Sequence, residues 1–177
     1  MSEERPHRRR DRGTDLSDGQ LIAMGEVAFW AARAERTLAL VVSALVNEDS
    51  EAGAVVTNGM NFGRLLDLGT QLVSLRPVND QVRDLFTRYS GPLKVAMESR
   101  NHLMHGEWTT PREGPPVATR TRGKRTFERE FPLEAVESVA NDLALMSNRF
   151  SVLWLVIIKV TDYEEWSPPE FIDNGTN

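Results

Sequence analysis

The sequence has no cysteine and only three histidines, His7, His102 and His105, among 177 residues. Without cysteine there is no disulfide framework, no thiolate metal site and no cysteine nucleophile. With only these imidazoles, we do not expect a three-histidine metal site. Neither a G-x-x-x-x-G-K phosphate loop nor a nucleophile-elbow pattern occurs, so neither class of enzyme has support in the sequence. The length and the 40% apolar content fit one domain with a substantial core of its own.

Long apolar runs are also missing. The longest covers residues 152–158, far short of the roughly 20 residues that span a bilayer. The N-terminal region has no apolar segment of the kind found in secretory signals. We therefore expect a cytoplasmic protein that has no membrane partner.

Charge is unevenly distributed behind the formal net charge of −5. Five arginines lie within residues 1–13, whereas five acidic residues and no basic residue follow Lys159. Neither end shows the apolar periodicity of a packed element. We expect a disordered basic N-terminal tail over residues 1–16, one helical domain over residues 17–163, and a flexible acidic C-terminal tail over residues 164–177.

Apolar residues recur at helical spacing along most of the central region, beginning at Leu21. The first helix is predicted to begin at an N-cap at Ser17 or Asp18 and to run until a glycine-containing loop over residues 47–60. Asn61 is expected to cap a second helix. That helix should end before Pro77, because the residue before a proline is pushed out of the helical region.

The third helix is predicted to start at Asn79 or Asp80 and to stop at His105. Proline within a helix removes one backbone hydrogen bond, so Gly91-Pro92 predicts a kink or a short break. Gly106 stands where a left-handed C-terminal cap is expected.

Beyond a loop with three prolines at residues 109–116, two alternating runs flank Gly123-Lys124 and predict a β-hairpin. Pro132 is compatible with the first turn of a fourth helix. The apolar run over residues 152–158 predicts that this helix is buried on several sides or packs against another chain. The expected fold is all-α, an up-and-down four-helix bundle with a small β-hairpin inserted between helices 3 and 4.

Two charged residues interrupt the apolar stripes of these helices. Arg100 lies on the stripe of the third helix and Glu35 on that of the first. A buried charge is costly unless it is paired or faces a cleft. The two residues are therefore candidates for a semi-buried ion pair, whose role is either structural or functional.

Arg100, Asn101 and His105 form the pattern R-N-x-x-x-H at the end of the third helix. This pattern resembles the signature of HEPN (higher eukaryotes and prokaryotes nucleotide-binding) domains of the bacterial type. The Gly-Glu-Trp sequence after the histidine, and a tryptophan five positions before Glu35, are also similar to members of that family. The resemblance extends to the order of helices over roughly residues 17–160.

The resemblance implies a helical bundle that dimerises and joins two motifs in one cleft. It implies a metal-independent endoribonuclease of a toxin–antitoxin, phage-defence or RNA-processing system, with no cofactor, and with RNA and an antitoxin protein as partners. Such enzymes cleave RNA by attack of the ribose 2′-hydroxyl on the adjacent phosphate. Arg100 would stabilise charge on the phosphate, Asn101 would orient the histidine or bind the phosphate, and His105 would relay protons.

Arg100 and His105 are five positions apart, which is about 140° around a helix. A long arginine at a helix end can reach round to the histidine. A second copy across a two-fold axis can also complete the site. The spacing therefore favours a homodimer with the site at its interface.

Further candidates surround the motif. His102 is either a second proton carrier or a histidine at a helix end, and Trp108 either stacks on a base or packs under the following loop. The hairpin adds four basic candidates for RNA binding, Arg120, Arg122, Lys124 and Arg125. The alternative for these four is a solvated strand edge whose charges oppose aggregation.

Other functions stay open at this level. Glu98, His102 and His105 share one helix face with acceptable metal-ligand spacing, although few other ligands lie in plausible places. One alternative to an enzyme is a non-catalytic dimeric module that binds RNA, nucleotide or a partner protein through the same cleft. Another is a structural dimerisation domain in which Arg100 and Glu35 form a closed ion pair.

Overall fold

The computed structural model describes residues 16–47 and 50–159, so nearly all of both expected tails lies outside the described residues. Within these residues the chain forms five helices and one three-stranded sheet. In chain order they are α1 (Asp18–Val46), α2 (Ser50–Thr57), α3 (Phe62–Leu75), α4 (Asp80–His105), β1 (Glu107–Thr109), β2 (Val117–Arg122), β3 (Arg125–Glu130) and α5 (Leu133–Ile157). The largely helical class is confirmed, whereas a four-helix bundle is not.

The core lies between α1, α4 and α5, and its largest fully buried side chains include Phe86, Phe131 and Phe150. α1 begins with a capping box, in which the Ser17 hydroxyl accepts from the backbone N–H of Gln20 and the Gln20 side chain accepts in return. The Gln20 amide also donates to the Phe131 carbonyl over 3.2 Å. This contact joins the start of α1 to the segment that leads into α5.

Residues 50–57 form α2, so the prediction of a continuous loop over residues 47–60 is wrong. Gly53 is buried in α2 against the backbone carbonyl of Ser43 in α1, so near that a Cβ at this position would overlap the carbonyl oxygen. This glycine allows two helices to approach and does not form a turn. A turn does follow α2, where Gly59 adopts a φ of 73°.

Side-chain caps start α3 and α4 where the sequence predicts them. Asn61 accepts from the N–H of Arg64 over 3.0 Å, and Asn79 accepts from the N–H of Gln81 over 2.8 Å. α4 continues through Pro92, so the break considered at this position is not observed. Leu93 and the rest of this face of α4 are buried, and this burial stabilises the helix against the missing hydrogen bond.

The end of α4 differs from the prediction in one respect. The helix stops at His105, but Gly106 is extended, with φ −77° and ψ 149°, and is not a left-handed cap. The chain enters β1 directly, and β1 pairs with β2. A Cβ on Gly106 would lie 2.5 Å from the His102 carbonyl oxygen and 3.0 Å from the Cβ of Ala118. Glycine is therefore required where the sheet meets the helix.

β2 and β3 form the predicted hairpin around Gly123, which adopts a φ of 63°. Pro132 is the N-cap of α5 and so lies one position before the helix. The apolar run at the end of α5 is only partly covered by the described residues, since Leu153 is buried, Trp154 is half-buried and Ile158 is exposed. None of the described helices has the length and apolar character needed to cross a membrane.

Candidate functional site

Arg100, Asn101 and His105 lie together at the C-terminal end of α4. Nη1 of Arg100 donates to Oδ1 of Asn101 over 3.0 Å and lies 3.4 Å from Nε2 of His105. The arginine side chain reaches round the helix to the histidine five positions further on. The structure thus brings the three candidate residues into contact within a single chain.

The surroundings of these three side chains differ. Arg100 is half-buried and its Nε is fully covered, with no hydrogen-bond partner among the described residues, whereas His105 is exposed. A guanidinium can only donate, so a hydrogen bond to His105 requires an unprotonated Nε2, which is the form that can accept a proton. A phosphate would reach the guanidinium at its terminal nitrogens, because Nε is covered.

Glu35 has no contact with Arg100 close enough to form an ion pair. Arg83 instead pairs with Asp80 at the start of α4, far along the helix from the motif. The predicted Glu35–Arg100 pair is therefore not observed, and neither is a closed ion pair that would fill the site. Glu35 is half-buried and lines a cleft together with Asn101.

This cleft has a volume of about 550 Å³ and lies between β2, α4 and the start of α3. Arg120 and Arg122 of the hairpin line one wall, and Asn61 and Gly63 at the start of α3 line another. The charged groups around it are three basic and three acidic residues, Lys94, Arg120, Arg122, Glu35, Asp67 and Glu98. Because these charges balance, an anion would be favoured only beside the arginines of the hairpin.

Arg129 attaches the sheet to α4 next to the motif. Its Nη1 donates to the hydroxyl of Ser99 over 2.8 Å, and its guanidinium lies 5.0 Å from the ring centroid of Phe131. Ser99 is buried and immediately precedes Arg100. The sequence pattern does not single out Arg129, whose place opposite the apolar Ala118 follows from the register of the hairpin.

His102 and Trp108 have structural contacts. Nδ1 of His102 lies 3.3 Å from the Glu98 carbonyl oxygen one turn earlier. Nε1 of Trp108 donates to the Leu103 carbonyl over 3.1 Å, and the indole lies 5.9 Å from the ring of Phe131. In the structure Trp108 packs against the protein, and the contact of His102 lies within the last turns of its own helix.

The remaining candidates are separate from the cleft. Lys124 and Arg125 are exposed at the hairpin turn and do not line it. Within the described ranges, no group of three or more histidine, aspartate and glutamate side chains is placed to hold a metal ion. The set Glu98, His102 and His105 is therefore not assembled as a metal site.

A larger groove of about 880 Å³ runs between α1, α2 and the end of α5. Its walls are mainly apolar and include Leu40, Val55 and Trp154. Arg100, Asn101 and His105 do not line it. The motif and this larger groove are thus separate features of the surface.

No protein family, curated protein or solved structure matched the chain in comparisons with known proteins. The resemblance to HEPN domains therefore depends on the motif Arg100-Asn101-x-x-x-His105 and on its position at the end of a long helix. The geometry of this site is the basis for any function assigned to the chain.

Proposed function

We propose that the chain is a metal-independent endoribonuclease that cleaves RNA through attack of a ribose 2′-hydroxyl on the adjacent phosphate. The observation that carries this proposal is the contact of Arg100 with both Asn101 and His105 at the end of α4. A cation, an amide and an exposed imidazole within hydrogen-bond reach provide the groups that this chemistry needs.

His105 is the general base in this proposal. Nη1 of Arg100 moves from Nε2 of His105 to the phosphate, and Nε2 then accepts the proton of the 2′-hydroxyl. The 2′ oxygen forms a bond to phosphorus while the bond from phosphorus to O5′ breaks. The products are a 2′,3′-cyclic phosphate and a 5′-hydroxyl end, so O5′ must gain a proton. When two motifs share one cleft, His105 of the second copy supplies this proton from its protonated form, in which Nε2 no longer accepts from Arg100. No metal is needed to generate the nucleophile, since it belongs to the RNA.

Arg100 stabilises the charge that develops on the phosphate oxygens through its terminal nitrogens. Asn101 accepts from Nη1 and so holds the guanidinium beside the imidazole. A preorganised donor of this kind contributes about 100- to 1000-fold to the rate in other enzymes. Asn101 is therefore a positioning residue for Arg100.

The resemblance to HEPN domains supports the wider part of the proposal. We propose that the chain acts as a homodimer in the cytoplasm. Its role would be that of a toxin or phage-defence effector whose activity an antitoxin protein controls. A non-catalytic dimeric module that binds RNA, nucleotide or a partner protein is the alternative.

An RNA-cleavage assay in EDTA tests the proposal. We expect cleavage by the wild type and a loss of at least about 100-fold in Arg100→Ala and in His105→Ala. Arg88→Ala and Met104→Ala are matched controls, because both residues are exposed on the same helix. Melting temperatures measured in parallel show whether each variant is folded.

The substrate provides a second test. A single 2′-deoxynucleotide at the cleavage position removes the nucleophile, so cleavage at that position should stop. Cleavage that survives in both Arg100→Ala and His105→Ala would contradict the proposal. Cleavage at a position that carries the 2′-deoxynucleotide would contradict it as well. RNA binding without cleavage by the wild type would favour the non-catalytic module.

A further inference from the structure

The hairpin separates its charges between two faces. Residues directly opposite each other in an antiparallel pair project from the same side of the sheet. The register therefore places three pairs on one face, Arg122 with Arg125, Arg120 with Phe127, and Ala118 with Arg129. The glutamates of β3, Glu128 and Glu130, lie on the opposite face. All four arginines of the two strands thus form one surface, which we call the arginine face.

The arginine face continues into the candidate site. At its inner end Ala118 is fully buried beside Gly106, and Arg129 donates to Ser99 of α4. Further out, Arg120 and Arg122 line the cleft that Asn101 also lines. An extended chain bound along this face would therefore lead towards the motif.

Phe127 lies in the middle of the arginine face. It is 45% exposed, although neighbouring apolar side chains such as Ala118 and Phe131 are fully buried. Among the described residues its ring stacks on no other aromatic ring and lies beneath no guanidinium. An aromatic ring that is open to solvent and surrounded by arginines is typical of surfaces on which unpaired bases stack.

We propose that the arginine face binds single-stranded RNA, with an unpaired base stacked on Phe127 and phosphates held by Arg120, Arg122 and Arg125. This inference rests on the proposed function and names its substrate class. Duplex RNA keeps its bases within the helix and has none free for the ring. A second copy seated here by a two-fold axis would bring the same positive charge against the face.

Fluorescence anisotropy with a short fluorescein-labelled 2′-O-methyl oligouridylate tests the inference. This probe has no 2′-hydroxyl, so binding is measured apart from cleavage. We expect Phe127→Ala to weaken binding by the full chain about tenfold and Phe127→Trp to restore it. Val55→Ala is the matched control, because it removes an apolar side chain that is 78% exposed on α2, away from the sheet.

The arginines have a separate readout. Arg122→Ala should reduce the slope of log affinity against log salt by about 0.7, the value for one phosphate contact to a single strand. Unchanged binding in Phe127→Ala would overturn the inference. Equal binding of a blunt duplex with the same dependence on Phe127 would overturn it as well, as would binding to anionic vesicles alone.

The binding and cleavage experiments can fail independently. Arg88→Ala should retain binding of the uncleavable probe, because Arg88 is exposed on α4, outside both the arginine face and the candidate site. If the wild type cuts no RNA while binding depends on Phe127, the enzyme proposal fails and the binding surface stands. If cleavage depends on Arg100 and His105 while Phe127→Ala binds RNA normally, the enzyme proposal stands and the proposed binding surface fails.

Discussion

At the residue scale, the sequence pattern around Arg100 predicts that its side chain needs a partner but does not identify that partner correctly. Its place on an apolar stripe predicts that the guanidinium needs a partner, and the structure provides Asn101 and His105. Glu35 is the wrong partner because the long arginine side chain turns along its own helix instead of crossing to α1. Helical spacing gives the angle between positions but not the direction in which a flexible side chain extends.

The planar fork of Arg100 is the feature we expect to matter most. Arg100→Lys keeps the positive charge but loses the rigid set of donors that contacts Asn101, His105 and a phosphate together. We therefore expect kcat to fall about 100-fold while the melting temperature changes little. Arg88→Lys is the matched control. Full turnover by Arg100→Lys would mean that only the charge contributes.

Two glycines are expected to respond in opposite directions to a methyl group. Gly53→Ala places a Cβ against the Ser43 carbonyl and should destabilise the fold by about 1–3 kcal/mol. Gly25→Ala, on an exposed position of α1 with no neighbour within 4 Å, should stabilise it by about 0.5–1 kcal/mol. Urea unfolding of both variants measures the difference. Equal effects at the two positions would contradict the close approach of α2 to α1.

At the element scale, the sequence predicts the helix starts and the hairpin turn, because residues within a few positions determine them. Ser17, Asn61 and Asn79 cap their helices through their own side chains, and Gly123 supplies the left-handed residue of the hairpin turn. β1 is not predictable in the same way, because three residues become a strand only through pairing with β2. α2 likewise depends on its contact with α1, since eight residues rarely form a stable helix alone.

The attachment of the sheet to α4 is a property of two elements and is measurable as a coupling. Arg129→Ala and Ser99→Ala each remove one side of the 2.8 Å hydrogen bond. We expect their effects on unfolding free energy to be non-additive by about 1 kcal/mol in a double-mutant cycle. Hydrogen exchange of the β2 and β3 amides should rise in both single variants.

A cycle between Ser99→Ala and Arg125→Ala is the control for this coupling. Arg129 and Arg125 both lie on the arginine face, but Arg125 is at the hairpin turn, four residues along β3 from the arginine that contacts Ser99. The effects of this second pair should add. Coupling of equal size in both cycles would mean that the sheet responds as a whole and that the hydrogen bond has no particular role.

At the scale of the whole molecule, the overall composition does not reveal the arginine face, which forms only when the chain folds. The net charge of −5 gives no sign of an arginine face, and counting charges in the hairpin does not separate Arg120 from Glu128. The three motif residues could be named from the sequence because they lie within one helical segment. The cleft and the arginine face required strand register and the packing of the hairpin on α4, which no local pattern encodes.

The proposed homodimer leads to a prediction about which chain supplies each group. Arg100 and His105 of one chain already lie 3.4 Å apart, so each copy contains its own arginine–histidine pair. Mixed dimers of Arg100→Ala and His105→Ala chains then have no complete pair. We expect mixing and exchange of the two inactive variants to restore no cleavage, whereas mixing the wild type with either should leave residual activity.

Differently tagged chains, purified over both tags, ensure that mixed dimers are what is assayed, and light scattering establishes two chains per particle. Recovery of cleavage in these dimers would mean that the arginine of one chain acts with the histidine of the other, so that dimerisation reorganises the contact seen here. Full activity in a monomeric fraction would instead contradict the shared cleft, because a single copy would then both remove the 2′-hydroxyl proton and supply one to O5′. Recovery in the mixed dimer thus identifies a pair divided between chains, and full activity of the monomer identifies a site that needs no second copy. A mixed dimer that stays inactive agrees with a pair complete within each chain, and it also lacks one of the two histidines of the shared cleft.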